Sequence, residues 1–234
     1  MKEGCTVPFR VTPWWYLRGT EQQNAVDCFV DYMANYTGSW FNALADPTPN
    51  WITPADLAAV TMLSVNVPRR VAIWLLTTPG RTVVHTLLEQ IPVTPIANVT
   101  SAVLQTGAPA AELWNYLQTH AWPTGYVRAN GVGRVIAGKL LAAKRPELIP
   151  ILDDVIDAAL GPPLHRFWLT MHQRFQDPTF VKALSAVRQS GLNALKNPPV
   201  APSLLRTLDI VVWMRAYGCS KSTNPRLRAL PPPP

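Results

Sequence analysis

Apolar residues recur every three or four positions through most of this chain, the spacing that lines one face of an α-helix. The first such pattern opens at Thr20, a residue able to cap, with Gln23 three positions on, and Val26, Phe29, Val30 and Met33 continue it. A short helix is predicted over 39–45. Thr53-Pro54-Ala55-Asp56 is a start signal of its own, because threonine accepts from the free amides of a first turn and proline at the first helical position forfeits no hydrogen bond. Leu57, Val60 and Leu63 carry that helix forward. Pro68 opens the next through Ile73, Trp74 and Leu76, Pro79-Gly80 closes it, and 81–91 reads as one more.

Pro92, Pro95 and Pro109 make 92–109 a connector with one short helix. The helical period resumes over 110–120, with Leu113, Trp114 and Leu117 on one side, and breaks at Trp122-Pro123-Thr124-Gly125. It returns over 131–157 as a turn, a helix, a loop and a second helix start, and three more helices follow over 162–175, 178–190 and 203–217. No segment alternates apolar and polar residues with period two, although Val83-Val84 and Val211-Val212 leave short strands open. The pattern therefore predicts an all-α fold, a compact multi-helix orthogonal bundle containing a helix-hairpin-helix-like element over 110–160. One domain is expected over 20–219. An extended arm with Pro8, Pro13, Trp14 and Trp15 precedes it over 1–19, and a flexible, basic, proline-rich tail follows over 220–234, too polar to bury much surface.

Composition narrows the function classes. With 234 residues, 48% of them hydrophobic, the chain can bury a sizeable core. Charged residues are only 15%, and the net charge of +7 comes from few acids rather than from a basic tract, which suits an anionic partner. Arg128, Arg134, Lys139, Lys144 and Arg145 face a single acid, Glu147, so a local positive patch is expected there; a solvated helix face is the plainer reading. Cys5, Cys28 and Cys219 are far apart and fit reduced thiols in a cytoplasmic protein. His85, His120, His165 and His172 are scattered, so neither a metal nor another cofactor is expected. The apolar runs are too short for a signal peptide or a membrane span. The nine Trp fall at apolar helical positions or beside proline, as core or groove-lining anchors do.

Chemistry concentrates in one stretch. Gly131-Val132-Gly133 precedes a helix that carries Arg134, Lys139 and Lys144. A Gly-x-Gly turn lets main-chain amides approach a phosphate, the helix N-terminus adds partial positive charge, and the cations complete a grip on a nucleic-acid backbone that reads no sequence. Downstream, Pro150-Ile151-Leu152-Asp153-Asp154 opens another helix with acids in its first turn. The simplest reading makes Asp153 its N-cap and Asp154 a partner of the helix dipole.

Taken together, Gly131-Val132-Gly133, Ala137 and Pro150-Ile151-Leu152-Asp153 with Val155 resemble the helix-hairpin-helix DNA glycosylase superfamily. The resemblance implies that Gly131, Val132 and Gly133, with Arg134, Lys139 and Lys144, grip a phosphate of double-stranded DNA, and that Asp153 is the catalytic carboxylate. It would stabilise positive charge developing on the sugar of a flipped nucleotide and position a water. Val135 stands where lyase-competent members carry a Schiff-base lysine, so the implied activity is monofunctional hydrolysis of an N-glycosidic bond. Asn130 and Ile136 stand where Pro and Thr are usual. A second resemblance spans most of the chain, through Met62-Leu63-Ser64-Val65, Ala137 to Ala142 with Lys144-Arg145-Pro146, and Leu208 to Arg215. It is to an uncharacterised actinobacterial domain of unknown function, and it implies no activity. The competing expectation is a non-catalytic helical module that docks a protein partner through Trp14, Trp15, Trp40 and Trp51.

Overall fold

A computed structural model describes residues 19–119, 131–160, 166–195 and 200–230, together with Leu17 and Pro198. Cys5, Trp14, Trp15, His120, Arg128, the break at 122–125 and His165 lie outside the described residues. Among those described there is no strand, and Val83-Val84 and Val211-Val212 are helical.

Among the described residues twelve α-helices follow one another: α1 (Thr20–Asn35), α2 (Phe41–Leu44), α3 (Pro54–Thr61), α4 (Arg69–Leu76), α5 (Gly80–Glu89), α6 (Pro109–Thr119), α7 (Arg134–Lys144), α8 (Asp154–Leu160), α9 (Phe167–Phe175), α10 (Pro178–Ala194), α11 (Leu204–Ala216) and α12 (Pro225–Arg228). Their starts follow local chemistry. Thr53 and Asp56 form a capping box with Pro54 at the first helical position of α3. Asp177 accepts from the amides of Thr179 and Phe180 ahead of α10, and Ser203 accepts from Arg206 ahead of α11.

Helices α1, α10 and α11 pack on one another. Gly191 makes the α1–α10 approach possible: a Cβ there would come within 2.3 Å of the Phe29 ring. Helix α7 is buried from Ala137 through Lys144 and flanked by α3 and α6. A helix buried all round must direct its cations inward, where every charge needs a partner.

That constraint corrects the expected positive patch. Lys144 is buried, and its Nζ donates to Asp56 Oδ2 at 2.8 Å, to Asp56 Oδ1 at 3.0 Å and to the Asp46 carbonyl at 2.9 Å. The Asp56 carboxylate also accepts from the amides of Thr53 and Asp46, so both charges are hydrogen-bonded from several sides. Arg145 is 1% exposed and donates to the carbonyls of Pro49, Leu88, Ile91 and Lys144 and to Asn50 Oδ1. Its charge sits against the C-terminal end of α5, where a helix favours cations. Burial lowers its pKa to about 10. Lys144 and Arg145 are therefore core ties between α7 and the segments at 46–56 and 88–91, and Lys144 is not available as a DNA contact.

The tail expected over 220–234 is also corrected in part. Residues 218–221 form a 3-10 turn and α12 follows, capped by Asn224 with Pro225 in its first turn. Leu227 is 1% exposed, and Arg226 Nη1 pairs with Asp27 Oδ2 of α1 at 2.9 Å. Leu227 and the Arg226–Asp27 pair thus set against the body a segment whose polar composition suggested otherwise.

Candidate functional site

A cavity of about 510 Å³ opens where the end of α1, the 62–64 loop, α7, the start of α8 and α11 meet. Polar groups from distant parts of the chain line it: Tyr32, Lys139, Asp153, Arg206 and Asp209. Exposed Ser64 and Asp154 at its edge show that it reaches solvent.

Asp153 is the N-cap of α8 and also lines the cavity. Its Oδ1 accepts from the amides of Val155 at 3.1 Å and Ile156 at 2.9 Å, which caps α8. Its Oδ2 lies 3.9 Å from Lys139 Nζ, and the side chain keeps 19% of its surface. Lys139 is not a backbone-gripping cation on the protein surface. It is buried along the cavity wall and donates to the Leu63 carbonyl at 2.9 Å. Burial pulls its pKa below the usual lysine range, and the Asp153 charge opposes that shift. The neighbouring Ser64 has φ of 60°, a left-handed conformation that a residue with a Cβ adopts only when its surroundings hold it there.

Asp209, on α11, is the residue that sequence motifs missed. It accepts from the Ile151 amide at 3.3 Å, and burial raises its pKa to about 7, with Arg206 opposing the rise. Its signal was an acid inside the otherwise apolar run Leu208 to Met214, a placement that needs a compensating partner or a purpose. Arg206 donates to the Tyr32 hydroxyl and holds its guanidinium 5.3 Å from that ring. Tyr32 stacks on Tyr36 at 5.4 Å, and Trp213 meets both rings edge-on, so one wall of the cavity is aromatic.

The glycine turn lies at the entrance to α7. Gly131 has φ of +78°, and a Cβ on it would sit 3.1 Å from Pro68 Cγ. Val132 is buried and anchors the turn. Gly133 is the N-cap of α7 and offers no side-chain oxygen, so the first-turn amides carry no side-chain cap. Gly131 and Gly133 are exposed. Contact with Pro68 sets the turn beside the start of α4, where Arg69 and Arg70 are exposed; no sequence spacing linked these arginines to the turn.

Arg134 has a different part from the one its position suggested. Its guanidinium pairs with Asp154 at 2.8 Å and Asp157 at 3.2 Å, a strut between the first turns of α7 and α8. The strut brings the glycine turn and Asp153 to neighbouring helix starts, and Val135 of the same α7 turn lines the cavity with Asp153. Among the expected docking indoles, Trp40 is 52% exposed, whereas Trp51 stacks on His85 at 3.8 Å beneath Arg81. Among the described residues no group of three or more His, Cys, Asp or Glu side chains converges to hold a metal, and no helix is long and apolar enough to cross a membrane.

Fold and cavity together define an all-α protein with a carboxylate-bearing, partly aromatic pocket beside an uncapped helix start. The chain belongs to a family of unknown function, DUF6308, whose model matches residues 25–216. That stretch holds every described residue of the cavity except Tyr217. No curated protein and no solved structure matches the chain.

Proposed function

We propose that this chain binds double-stranded DNA through a helix-hairpin-helix-like turn and hydrolyses an N-glycosidic bond of a nucleotide turned out into the cavity. The observation that carries the reading is the pairing of the two parts. The uncapped α7 start at Gly131–Gly133 and the cavity-lining Asp153 sit at adjacent helix ends joined through Arg134. Phosphate contact falls to the first-turn amides of α7, with Arg69 and Arg70 in place of the buried Lys139 and Lys144. The aromatic wall of Tyr32, Tyr36 and Trp213 offers apolar surface to a planar base, and the volume is of the order of a small-molecule site, roughly 300–1,000 Å³.

In this reading the Asp153 carboxylate faces the positive charge that develops on the sugar as the bond to the base breaks, and a water attacks that carbon, passing one proton to Asp153 as its oxygen becomes the sugar hydroxyl. Asp209, holding its proton up to about pH 7, supplies an acid to the departing base. Val135, not lysine, occupies the first turn of α7, which keeps the reaction hydrolytic.

Gel shift with short duplexes tests the binding. Retention should fall at least about tenfold between 50 and 200 mM salt, as displaced counterions require. Gly133→Glu, which sets a carboxylate against the α7 amides, should abolish it, while Gly133→Ala, with open space around its Cβ, should not. Base release from a panel of damaged duplexes should vanish in Asp153→Asn. Salt-independent retention, or retention undiminished in Gly133→Glu, would refute the DNA interface; base release surviving in Asp153→Asn would refute its catalytic part.

A further inference from the structure

Cys28 and Cys219 are separated by 191 positions in sequence, yet their sulfur atoms lie 3.1 Å apart in the core. Cys28 belongs to the middle of α1 and Cys219 to the 218–221 turn that leads into α12. Both are free thiols and both are buried. Two sulfurs this close need move only about 1 Å to reach the bond length of a disulfide, roughly 2.05 Å. We infer that Cys28 and Cys219 are a redox pair whose oxidation to a disulfide staples the C-terminal segment to α1.

The pair is chemically asymmetric. The hydrogen bond between the two sulfurs raises the Cys28 thiol, with burial adding to the rise. The same bond lowers Cys219, where burial opposes it and the Arg215 guanidinium assists. Cys219 is the more acidic sulfur of the two and so the nucleophile of the pair. With a peroxide as oxidant, the Cys219 thiolate attacks one peroxide oxygen, the O–O bond breaks, and hydroxide leaves, giving a sulfenic acid. The Cys28 sulfur then attacks the Cys219 sulfur, the S–O bond breaks and water departs. In sum, two thiols and one hydrogen peroxide give one disulfide and two waters.

The staple reaches the cavity wall. Tyr217 lines the cavity two residues before Cys219, and the Gly218 carbonyl accepts from the Tyr36 hydroxyl at 3.0 Å. Trp213, on the preceding helical turn, packs edge-on against Tyr36 and Tyr217. Joining Cys219 to α1 holds that aromatic group against the cavity whatever the cavity binds, so the redox step does not depend on the DNA reading.

The full chain, treated with hydrogen peroxide and digested without reductant, tests this by mass spectrometry. The expected product is two hydrogens lighter and yields one cross-linked peptide pair joining Cys28 to Cys219. Its Tm rises by several degrees, dithiothreitol reverses the rise, and amide exchange over 213–221 slows. Cys5→Ser should behave identically, and Cys219→Ala should show neither the mass loss nor the Tm shift. The inference fails if Cys28 and Cys219 remain open to alkylation in the unfolded, peroxide-treated chain, or if the cross-link found joins Cys5 instead. Because peptide mapping uses the unaltered sequence, it decides the matter even if Cys219→Ala does not fold.

Discussion

Single ionisable residues show how far burial redirects a side chain. Asp209 is held on α11 with its pKa near 7, against an ordinary carboxylate value of about 4. The folded protein therefore keeps a proton that the unfolded chain releases between those values, and the stability this group contributes is full below about pH 4 and is lost as pH rises through about 7. Other carboxylates titrate in the same window, so the comparison has to be with Asp209→Asn. Between pH 4.5 and 7.5, the wild type should lose stability relative to that variant in parallel urea titrations. A difference that stays constant across the range would show that Asp209 is ionised in the folded state. Lys144 and Arg145 make the same point from the other side: read along the chain they are a basic patch, and in three dimensions Lys144 is enclosed by the Asp56 carboxylate and a carbonyl, and Arg145 by carbonyls and the Asn50 amide oxygen.

At the scale of elements, most helices were legible because their starts and periods are local properties. Thr53-Pro54 and Pro178 mark helix beginnings by mechanisms that need no tertiary contact. What could not be read was orientation. Helix α7 has small residues at Ala137, Gly138, Ala142 and Ala143, and only packing against α3 and α6 decides that its lysines point inward. The candidate site was half legible for the same reason. Asp153 and the glycine turn share one sequence window, whereas Asp209, Arg206 and Tyr32 enter from helices far away in the chain. The two glycines of the turn separate cleanly by geometry. Gly131→Ala must place a Cβ at φ of +78° and 3.1 Å from Pro68, which should cost about 1–2 kcal/mol by chemical denaturation. Gly133→Ala meets nothing within 4 Å at an ordinary extended φ and should cost only the N-cap preference for glycine over alanine, about 0.5–1 kcal/mol. Equal costs would mean that the turn does not have this backbone conformation.

At the scale of the whole molecule, the C-terminal segment decides whether the cavity wall stands by itself. The family match ends at Ala216, immediately before Tyr217, so the wall and the segment that braces it straddle that limit. Residues 218–230 supply the Leu227 side chain, the Arg226–Asp27 pair and the carbonyl that Tyr36 donates to. The exposed ion pair contributes little, of the order of 1 kcal/mol or less. Burying one leucine contributes about 1.5–3 kcal/mol. A chain ending at Tyr217 should therefore melt several degrees lower, since at this size each kcal/mol moves Tm by about 2–4 °C. It should also expose Cys28, whose alkylation by iodoacetamide in the native state would then proceed far faster than in the full chain. An unchanged Tm with Cys28 still protected would mean that α1, α10 and α11 close the core unaided and that α12 merely rests on it. If both change together, the segment that looked like a tail is the last piece of the core, and the aromatic side of the cavity owes its position to it.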